Sequence, residues 1–283
     1  MTNAGAHGGF GNYARLSIEM IERSPEIENW LKQFPNGNQP AAISLLSRLL
    51  FVGRDLFSNW LKSILKTLPD SRCALYAVRK FDDTVDEYWD ADGHPPGRPA
   101  ESLGSEDTIQ GILANVLKDH ECPHLDHPSI EELKQQRIRH IVFIDDSIGS
   151  GTRVAKFVDL FFHNKKLFSW WSYGLFQVHI VAFSRTYSGE SEIRDRFPGS
   201  DHHQRKFPKS EKVHFKGRHL FEDSHLSARW GSEWRRIVNL CDSETSIPSL
   251  IQRGFGGVMA NIVFYHSVPD NIPGVLYFDQ STD

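Results

Sequence analysis

The chain has few cysteines and lacks long apolar runs. Its three cysteines, Cys73, Cys122 and Cys241, are far apart in the sequence and suggest no disulfide framework. No stretch reaches about eighteen apolar residues, so no membrane span is expected. No charged segment followed by an apolar one comes after Met1, so no secretory signal is expected. These absences predict a protein of the reducing cytoplasm that does not enter a membrane.

The chain also lacks an excess of positive charge. Asp and Glu number 36 against 32 Lys and Arg, and the formal net charge is −4. This balance argues against a broadly basic nucleic-acid surface and leaves only local basic patches open. A length of 283 residues allows one large or two modest domains, and no second core is evident.

One segment combines a strand, two carboxylates and a glycine turn. The run Ile141–Ile144 is apolar and mostly β-branched or aromatic, which predicts a central strand buried on both faces. Asp145 and Asp146 follow it, and Gly149 and Gly151 permit a tight turn before a predicted helix. Because ligands of open α/β sheets bind beyond the carboxyl ends of the strands, polar chemistry is expected here.

This segment has the residue types that bind a sugar phosphate. The backbone amides of Ser150–Arg153, the hydroxyls of Ser150 and Thr152 and the helix dipole favour a phosphate group. Asp145 and Asp146 would repel that phosphate, so they must face hydroxyl donors or a metal ion. A ribose 5-phosphate offers both groups at a suitable separation. The hypothesis requires reachable carboxylates and amides that no main-chain carbonyl occupies.

Other interpretations of the segment are weaker. A Walker B element would need a P-loop lysine, and the chain has no Gly-Lys dipeptide. A haloacid-dehalogenase nucleophile would need a second aspartate where Ser147 stands. A buried strand that ends in an ordinary acidic turn, without a ligand, stays open as the alternative.

A strand, an acidic pair, two small or hydrophobic residues and a small-Gly-Thr turn resemble the 5-phosphoribosyl-1-pyrophosphate (PRPP) signature of type I phosphoribosyltransferases. The resemblance implies that Asp145 and Asp146 bind the ribose hydroxyls, directly or through Mg²⁺. It also implies that the loop Gly149, Ser150, Gly151, Thr152 and Arg153 binds the 5′-phosphate and that Ser147 is a further ligand-binding residue. The cation of Arg153 either contacts the phosphate or faces solvent. Purine-salvage members carry an aspartate where this chain has Gly149, so that general base is missing here.

A second strand, Cys73–Val78, ends in two cations. By the same resemblance, Arg79 and Lys80 are candidates to contact the pyrophosphate of PRPP. Two solvated cations at a strand end are an equally good interpretation. The following stretch, 81–101, is acidic and rich in Gly and Pro, which suits a mobile loop but not a flap that closes over pyrophosphate.

The C-terminal part carries a looser signature. The β-type run Val258–His266 is followed by Pro, Asn and Pro before an aromatic close at Tyr277. This pattern resembles the stand-alone bacterial phosphoribosyltransferase-like family PRTase-CE, which is often associated with stress or conflict loci. His266 and Asn271 are candidates to line the acceptor side of a pocket, and a purely turn-stabilising Asn271 stays open.

The resulting expectation is an α/β fold of phosphoribosyltransferase type I, with an open and mainly parallel sheet flanked by helices. Residues 1–68 are predicted as a helical N-terminal part or cap that could contact a protein partner, and 69–283 as the α/β domain. The resemblance implies transfer of phosphoribose from PRPP, with Mg²⁺, to an unknown acceptor. The alternative is a non-catalytic PRPP or nucleotide sensor, or an effector, in a bacterial stress or antiviral defence system.

Overall fold

The computed structural model describes residues 13–97, 104–118, 122–198, 212–218 and 226–278. Residues 98–101 of the acidic loop lie outside this described part. The N-terminal elements are α1 (Ile18–Arg23), α2 (Pro25–Leu31), α3 (Gln39–Ser47), β1 (Leu50–Val52) and α4 (Arg54–Leu65). The elements of the central part are β2 (Cys73–Ala77), α5 (Ser105–Val116), β3 (Leu125–Asp126), α6 (Ile130–Gln135), β4 (His140–Ile148), α7 (Thr152–Phe162), α8 (Lys165–Ser172), β5 (Gln177–Arg185), α9 (Tyr187–Arg196) and β6 (Val213–Arg218). The last elements are α10 (Leu226–Trp230), α11 (Trp234–Ser243), α12 (Ser249–Gln252) and β7 (Ile262–Phe264).

Five of the described strands form one parallel sheet in the order β3-β2-β4-β5-β6. β4 and β5 are the longest, with nine residues each, and almost every residue in them is buried. Strands buried on both faces read as continuous apolar runs, which is why β2, β4 and β5 stand out in the sequence. The predicted α/β class with a mainly parallel sheet and flanking helices is confirmed.

Helices cover both faces of this sheet. On one face Phe143 packs against Phe157 and Phe161 of α7. On the other face Val142 belongs to a cluster with Phe57 of α4. Successive strand residues point to opposite faces, so Val142 and Phe143 anchor different layers. The carboxyl ends of β2, β4 and β5 are left between the layers, where the predicted site residues lie.

The acidic loop differs from its expected mobile form over residues 81–97. Tyr88 and Trp89 are buried in the core, and the indole nitrogen of Trp89 donates to the carbonyl of Phe161. Lys156 of α7 donates to the carbonyl of Asp82 and pairs with Asp83. Two large aromatic side chains therefore hold this segment against the core. The acidic, Gly- and Pro-rich composition of the segment did not indicate these contacts.

Pro25 lies in the first turn of α2 and separates this helix from α1. The N-terminal part contains a strand as well as α1 to α4, because Leu50–Val52 forms β1 and pairs with β7 in a small parallel sheet. Ile18 and Met20 of α1 are exposed, and a protein partner at these helices stays a prediction. Nothing in the fold tests the division at residue 68.

In the described part of the chain, no helix combines the length and the apolar character that crossing a membrane requires.

Candidate functional site

The acidic pair lies inside β4 and not beyond its end, because the strand continues to Ile148. Asp145 is paired in register with Ala182 of β5, and both carboxylates are buried, with Asp145 1 % and Asp146 3 % exposed. As neighbours in a strand, the two side chains leave the sheet on opposite faces. The site therefore joins the two helical layers at the carboxyl edge of the sheet.

Arg153, in the first turn of α7, covers both carboxylates. Its Nη2 lies 2.6 Å from Oδ1 of Asp145 and 2.9 Å from Oδ1 of Asp146, and its Nε donates to Oδ2 of Asp145 at 3.2 Å. The Arg153 side chain is 35 % exposed, so one guanidinium separates the pair from solvent. The requirement for reachable carboxylates is therefore not met while Arg153 is in this position, and a ligand that binds the pair must displace Arg153.

The second predicted motif meets the first at Asp146. Nε2 of His266 lies 3.2 Å from Oδ2 of Asp146, and the hydroxyl of Ser267 donates to the same oxygen at 3.2 Å. The main-chain amide of Ser147 donates to Oδ1 of Asp146 at 2.6 Å. The Asp146 carboxylate thus binds both its neighbour in the chain and residues about 120 positions away.

The two carboxyl groups have opposite pKa shifts. Burial raises the pKa of Asp145 to about 7, against the opposing charge of Arg153. Burial acts the same way on Asp146, but the hydrogen bond from His266 and the charge of Arg153 outweigh it, so its pKa lies below the usual range. One cation serves two carboxylates, and the two pKa values are shifted in opposite directions because Asp146 has the additional hydrogen bond from His266.

The turn after β4 is held in place by close backbone packing. A Cβ at Gly149 would lie 2.2 Å from Cγ of Asn271, and one at Gly151 would lie 2.5 Å from the carbonyl oxygen of Gly189. Gly151 also has a φ of 84°, the left-handed region that disfavours other residues. The hydroxyl of Thr186 donates to the carbonyl of Gly149 at 2.5 Å. Three chain segments therefore fix the shape of this turn.

The amides of the turn point to a position where an anion could bind. Among the described residues, no main-chain carbonyl accepts a hydrogen bond from the amides of Ser150, Gly151 or Arg153. The hydroxyls of Ser150 and Thr152 lie 3.1 Å apart, and Thr152 is exposed. Free amides at the start of a helix of eleven residues, together with the helix dipole, favour a phosphate.

The cations after β2 are placed differently from each other. Nε of Arg79 lies 3.4 Å from Oε2 of Glu106 in the first turn of α5, and both side chains are largely buried. The preceding residue, Ser105, approaches Nη1 of Arg153 at 3.5 Å. The start of α5 therefore connects Arg79 with the acidic pair, whereas Lys80 is exposed.

The structure brings most of the predicted residues together. Asp145, Asp146, the turn 149–153, His266 and Asn271 form one connected group, and Arg79 adjoins it through α5. The hydroxyl of Ser147 instead lies 2.7 Å from that of Ser184 in β5. The ligand-binding and catalytic roles of all these residues stay predictions.

The sequence interpretation missed three participants. Ser267 binds Asp146, Glu106 pairs with Arg79, and Thr186 caps α9 while it holds the turn. Thr186 directly follows the carboxyl end of β5, the position at which α/β proteins place ligand contacts, so its location was the available signal. Ser267 and Glu106 had no comparable local signal.

The residue set fits a magnesium ion that arrives with a phosphorylated ligand. Mg²⁺ prefers oxygen ligands and is usually held by one or two carboxylates together with substrate phosphates. Asp145 and Asp146 supply such oxygens, next to the free amides of the turn. Within the described ranges, no group of three or more His, Cys, Asp or Glu side chains is arranged to hold a metal ion by itself.

The parallel sheet, the acidic pair in its central strand and the anion-type turn define a phosphoribosyltransferase-like α/β protein. The family model PRTase-CE matches residues 27–282, nearly the whole chain. The chain therefore belongs to the PRTase-CE family. Comparison with curated proteins and with solved structures finds no significant match.

Proposed function

We propose that this protein binds PRPP, or a related ribose 5-phosphate, with Mg²⁺ and transfers the phosphoribosyl group to an acceptor. The observation that carries the proposal is the adjacency of free amides at Ser150, Gly151 and Arg153 to the carboxylates of Asp145 and Asp146. An anion and a pair of hydroxyls on one ligand can satisfy both groups. Ribose 5-phosphates carry this combination.

In this proposal the turn 149–153 anchors the 5′-phosphate, and Asp145 and Asp146 orient the ribose hydroxyls. The acceptor attacks C1′ with a lone pair, and the bond from C1′ to the pyrophosphate oxygen breaks with its electrons on pyrophosphate. Mg²⁺ neutralises negative charge on the phosphates when bound. Arg79 stabilises the departing pyrophosphate. Gly149 offers no carboxylate to the acceptor, so an acceptor that is already deprotonated is favoured.

Arg153 has a double role in this scheme. Without ligand it neutralises the acidic pair, which would otherwise be two buried charges without a counterion. When ribose hydroxyls and a cation take its place at the carboxylates, the guanidinium of Arg153 is free to move. Arg153 directly follows Thr152 in the turn that anchors the phosphate. A guanidinium binds phosphate oxygens well, so it can add a contact to the anchored 5′-phosphate.

A non-catalytic sensor of PRPP or nucleotides, within a bacterial stress or defence system, is the second candidate. This candidate is favoured because the charged side chains of the site are already paired with other groups of the protein. Asp146 already accepts hydrogen bonds from Arg153, Ser267 and the amide of Ser147, and Arg79 is paired with Glu106. Such a site can register a ligand by exchanging these partners without any chemical step.

Calorimetry with PRPP and with ribose 5-phosphate, each with and without Mg²⁺, tests the binding proposal. The wild-type protein should bind PRPP saturably, and Asp145→Asn combined with Asp146→Asn should lose most of the affinity without loss of fold. Asp242→Asn is the matched control, because that exposed aspartate pairs with Arg253 outside the site. If the wild-type protein binds neither ligand, the proposal fails.

Pyrophosphate release separates the enzyme from the sensor. The assay offers PRPP together with bases, amines or nucleotides as acceptors. Turnover that the double aspartate variant abolishes supports the transferase. Saturable binding of PRPP with no release under any of these conditions supports the sensor.

A further inference from the structure

The amino ends of β4, β5 and β6 carry a surface of exposed aromatic and cationic side chains. We call it the amino-end surface, and it consists of the exposed residues Arg139, Lys165, Phe168, Tyr173 and Leu175 and the partly buried Lys212. It lies at the opposite edge of the sheet from Asp145 and the glycine turn. The first and last of the nine residues of β4 are eight steps of about 3.3 Å apart, so the two ends of this strand are separated by about 26 Å.

Contacts join part of this surface across three segments of the chain. Nη1 of Arg139 donates to the carbonyl of Leu175 at 2.8 Å. Nζ of Lys212 lies 5.8 Å from the centre of the Trp171 ring and close to Gly174. Tyr173, between these cations in the chain, is 80 % exposed. The residues before β4, after α8 and before β6 therefore lie next to one another, and α8 itself carries Lys165 and Phe168.

The charge of this surface is opposite to that of the whole chain. The segments 134–144, 163–189 and 212–218 contain no Asp or Glu, although the chain has 36 such residues and a net charge of −4. Lys166, which follows Lys165, shares a small hollow with Asp90, Asp92 and Glu131, so carboxylates line that end of the surface. Segments that contain cations and no carboxylates of their own attract anionic ligands.

We propose that the amino-end surface binds single-stranded nucleic acid. A nucleic-acid strand uses both features at once, since its phosphates pair with cations and its bases stack on exposed rings. Tyr173 supplies a ring that projects into solvent, and Phe168 is also half exposed, at 48 %. An acidic peptide would use the cations alone. A duplex hides its bases, so it could not stack on Tyr173.

Fluorescence anisotropy with labelled oligo-U RNA and oligo-dT DNA of about 12 nucleotides tests the proposal on the full chain. Wild-type protein should bind at low salt. If Arg139, Lys165 and Lys212 each neutralise one phosphate, the affinity should fall about 18-fold between about 50 and about 200 mM salt. A duplex of the same length should bind more weakly.

Tyr173→Ala should weaken binding of both oligonucleotides about fivefold or more through loss of stacking. Lys212→Gln should weaken binding and flatten the salt dependence. Tyr277→Ala and Arg236→Gln are the matched controls, because both side chains are solvent-accessible and lie in the C-terminal part of the chain, outside the amino-end surface. Calorimetry with PRPP should give the same result for Tyr173→Ala as for wild type.

Two results would overturn the proposal. One is the absence of saturable binding of either oligonucleotide at low salt. The other is binding that Tyr173→Ala leaves unchanged, or that the control variants reduce equally, which would place the nucleic acid elsewhere. Neither result bears on PRPP binding, so this inference and the proposed function can fail separately.

Discussion

At the residue scale, three hydrogen bonds to the acidic pair come from one side chain, Arg153. Buried carboxylates that lose such a partner are left with uncompensated charge. The pair is therefore stable without ligand only while Arg153 stays in place. Access to the pair and stability of the pair depend on the same guanidinium.

Arg153→Ala should lower the free energy of unfolding by about 3–5 kcal/mol, the typical cost of removing one partner from a buried ion pair. Mg²⁺ should restore part of this loss, because a divalent cation can take the position of the guanidinium between two carboxylates. Thermal unfolding with and without Mg²⁺ measures both effects. An equal response of wild type and variant to Mg²⁺ would contradict a cation site at these carboxylates.

Gly149→Ala tests the packing of the turn. The new methyl group would collide with Asn271, so we expect a destabilisation of about 1–3 kcal/mol. Asn271→Ala should relieve the collision, and the double variant should be more stable than the sum of the two single changes predicts. Denaturant unfolding of the four proteins gives the coupling energy. Strict additivity would mean that the two residues do not touch.

The sequence predicts which residue types form the site better than it predicts how these residues pair with one another. Asp145, Asp146 and the glycine turn are adjacent in the chain, so a local pattern is enough to find them. The local sequence does not determine where the Arg153 side chain points, because this side chain could reach a phosphate, solvent or the carboxylates. Burial of the pair decides between these positions, and burial arises from the surrounding layers.

At the element scale, the three central strands could be predicted, and so could β7, which lies inside the β-type run Val258–His266, but β1 could not. β4 and β5 have long apolar runs that no helix periodicity explains. β1 consists of three apolar residues inside a stretch with helical spacing, and its partner β7 lies about 210 residues later. A pairing so distant in sequence overrides local propensity and leaves no local signal.

Histidines on neighbouring strands give the sheet a pH dependence. Nδ1 of His140 in β4 lies 3.1 Å from Nε2 of His179 in β5, whose ring stacks on His214 in β6. Burial, with the charges of His140, His214 and Lys216, lowers the pKa of His179 from 6.5 to about 4. The ring of His179 therefore stays mostly neutral in the folded protein near neutral pH.

This lowered pKa predicts a loss of stability in acid. The unfolded chain takes up a proton on His179 near pH 6.5 and the folded protein only near pH 4, so the free energy of unfolding should fall across that window. After solvent screening the effect is about 2 kcal/mol. His179→Gln should flatten the dependence, and His94→Gln, at an exposed position, should not. Identical pH profiles of all three proteins would contradict this assignment.

At the scale of the whole molecule, the two ends of the chain share one core. Ile21 and Leu45 from the N-terminal helices pack in a cluster with Trp230, Ile237 and Met259 from the C-terminal part. The division at residue 68 was proposed from the helical spacing that precedes the first predicted strand of the sheet, and such spacing indicates where helices occur but not what they pack against. Contacts between distant segments set the folding unit, and no single window of sequence contains them.

A fragment of residues 69–283 should not unfold cooperatively by itself. Removal of residues 1–68 would expose the apolar side chains of Trp230 and Ile237, which now pack against the N-terminal helices. It would also expose the part of the sheet that Phe57 covers. Circular dichroism during heating and the binding of a hydrophobic dye compare the fragment with the full chain. A sharp thermal transition of the isolated fragment would instead support a domain boundary at residue 68.

The hydrogen bonds of Asp146 to His266 and Ser267 have a consequence for synthesis. A ribosome adds Asp146 about 120 residues before His266 and Ser267, so the growing chain contains the acidic pair before the residues that complete its surroundings. A chain terminated between these points would carry the acidic pair without two of the partners that fix Asp146. The order of synthesis therefore delays completion of this arrangement until the later segment has been made.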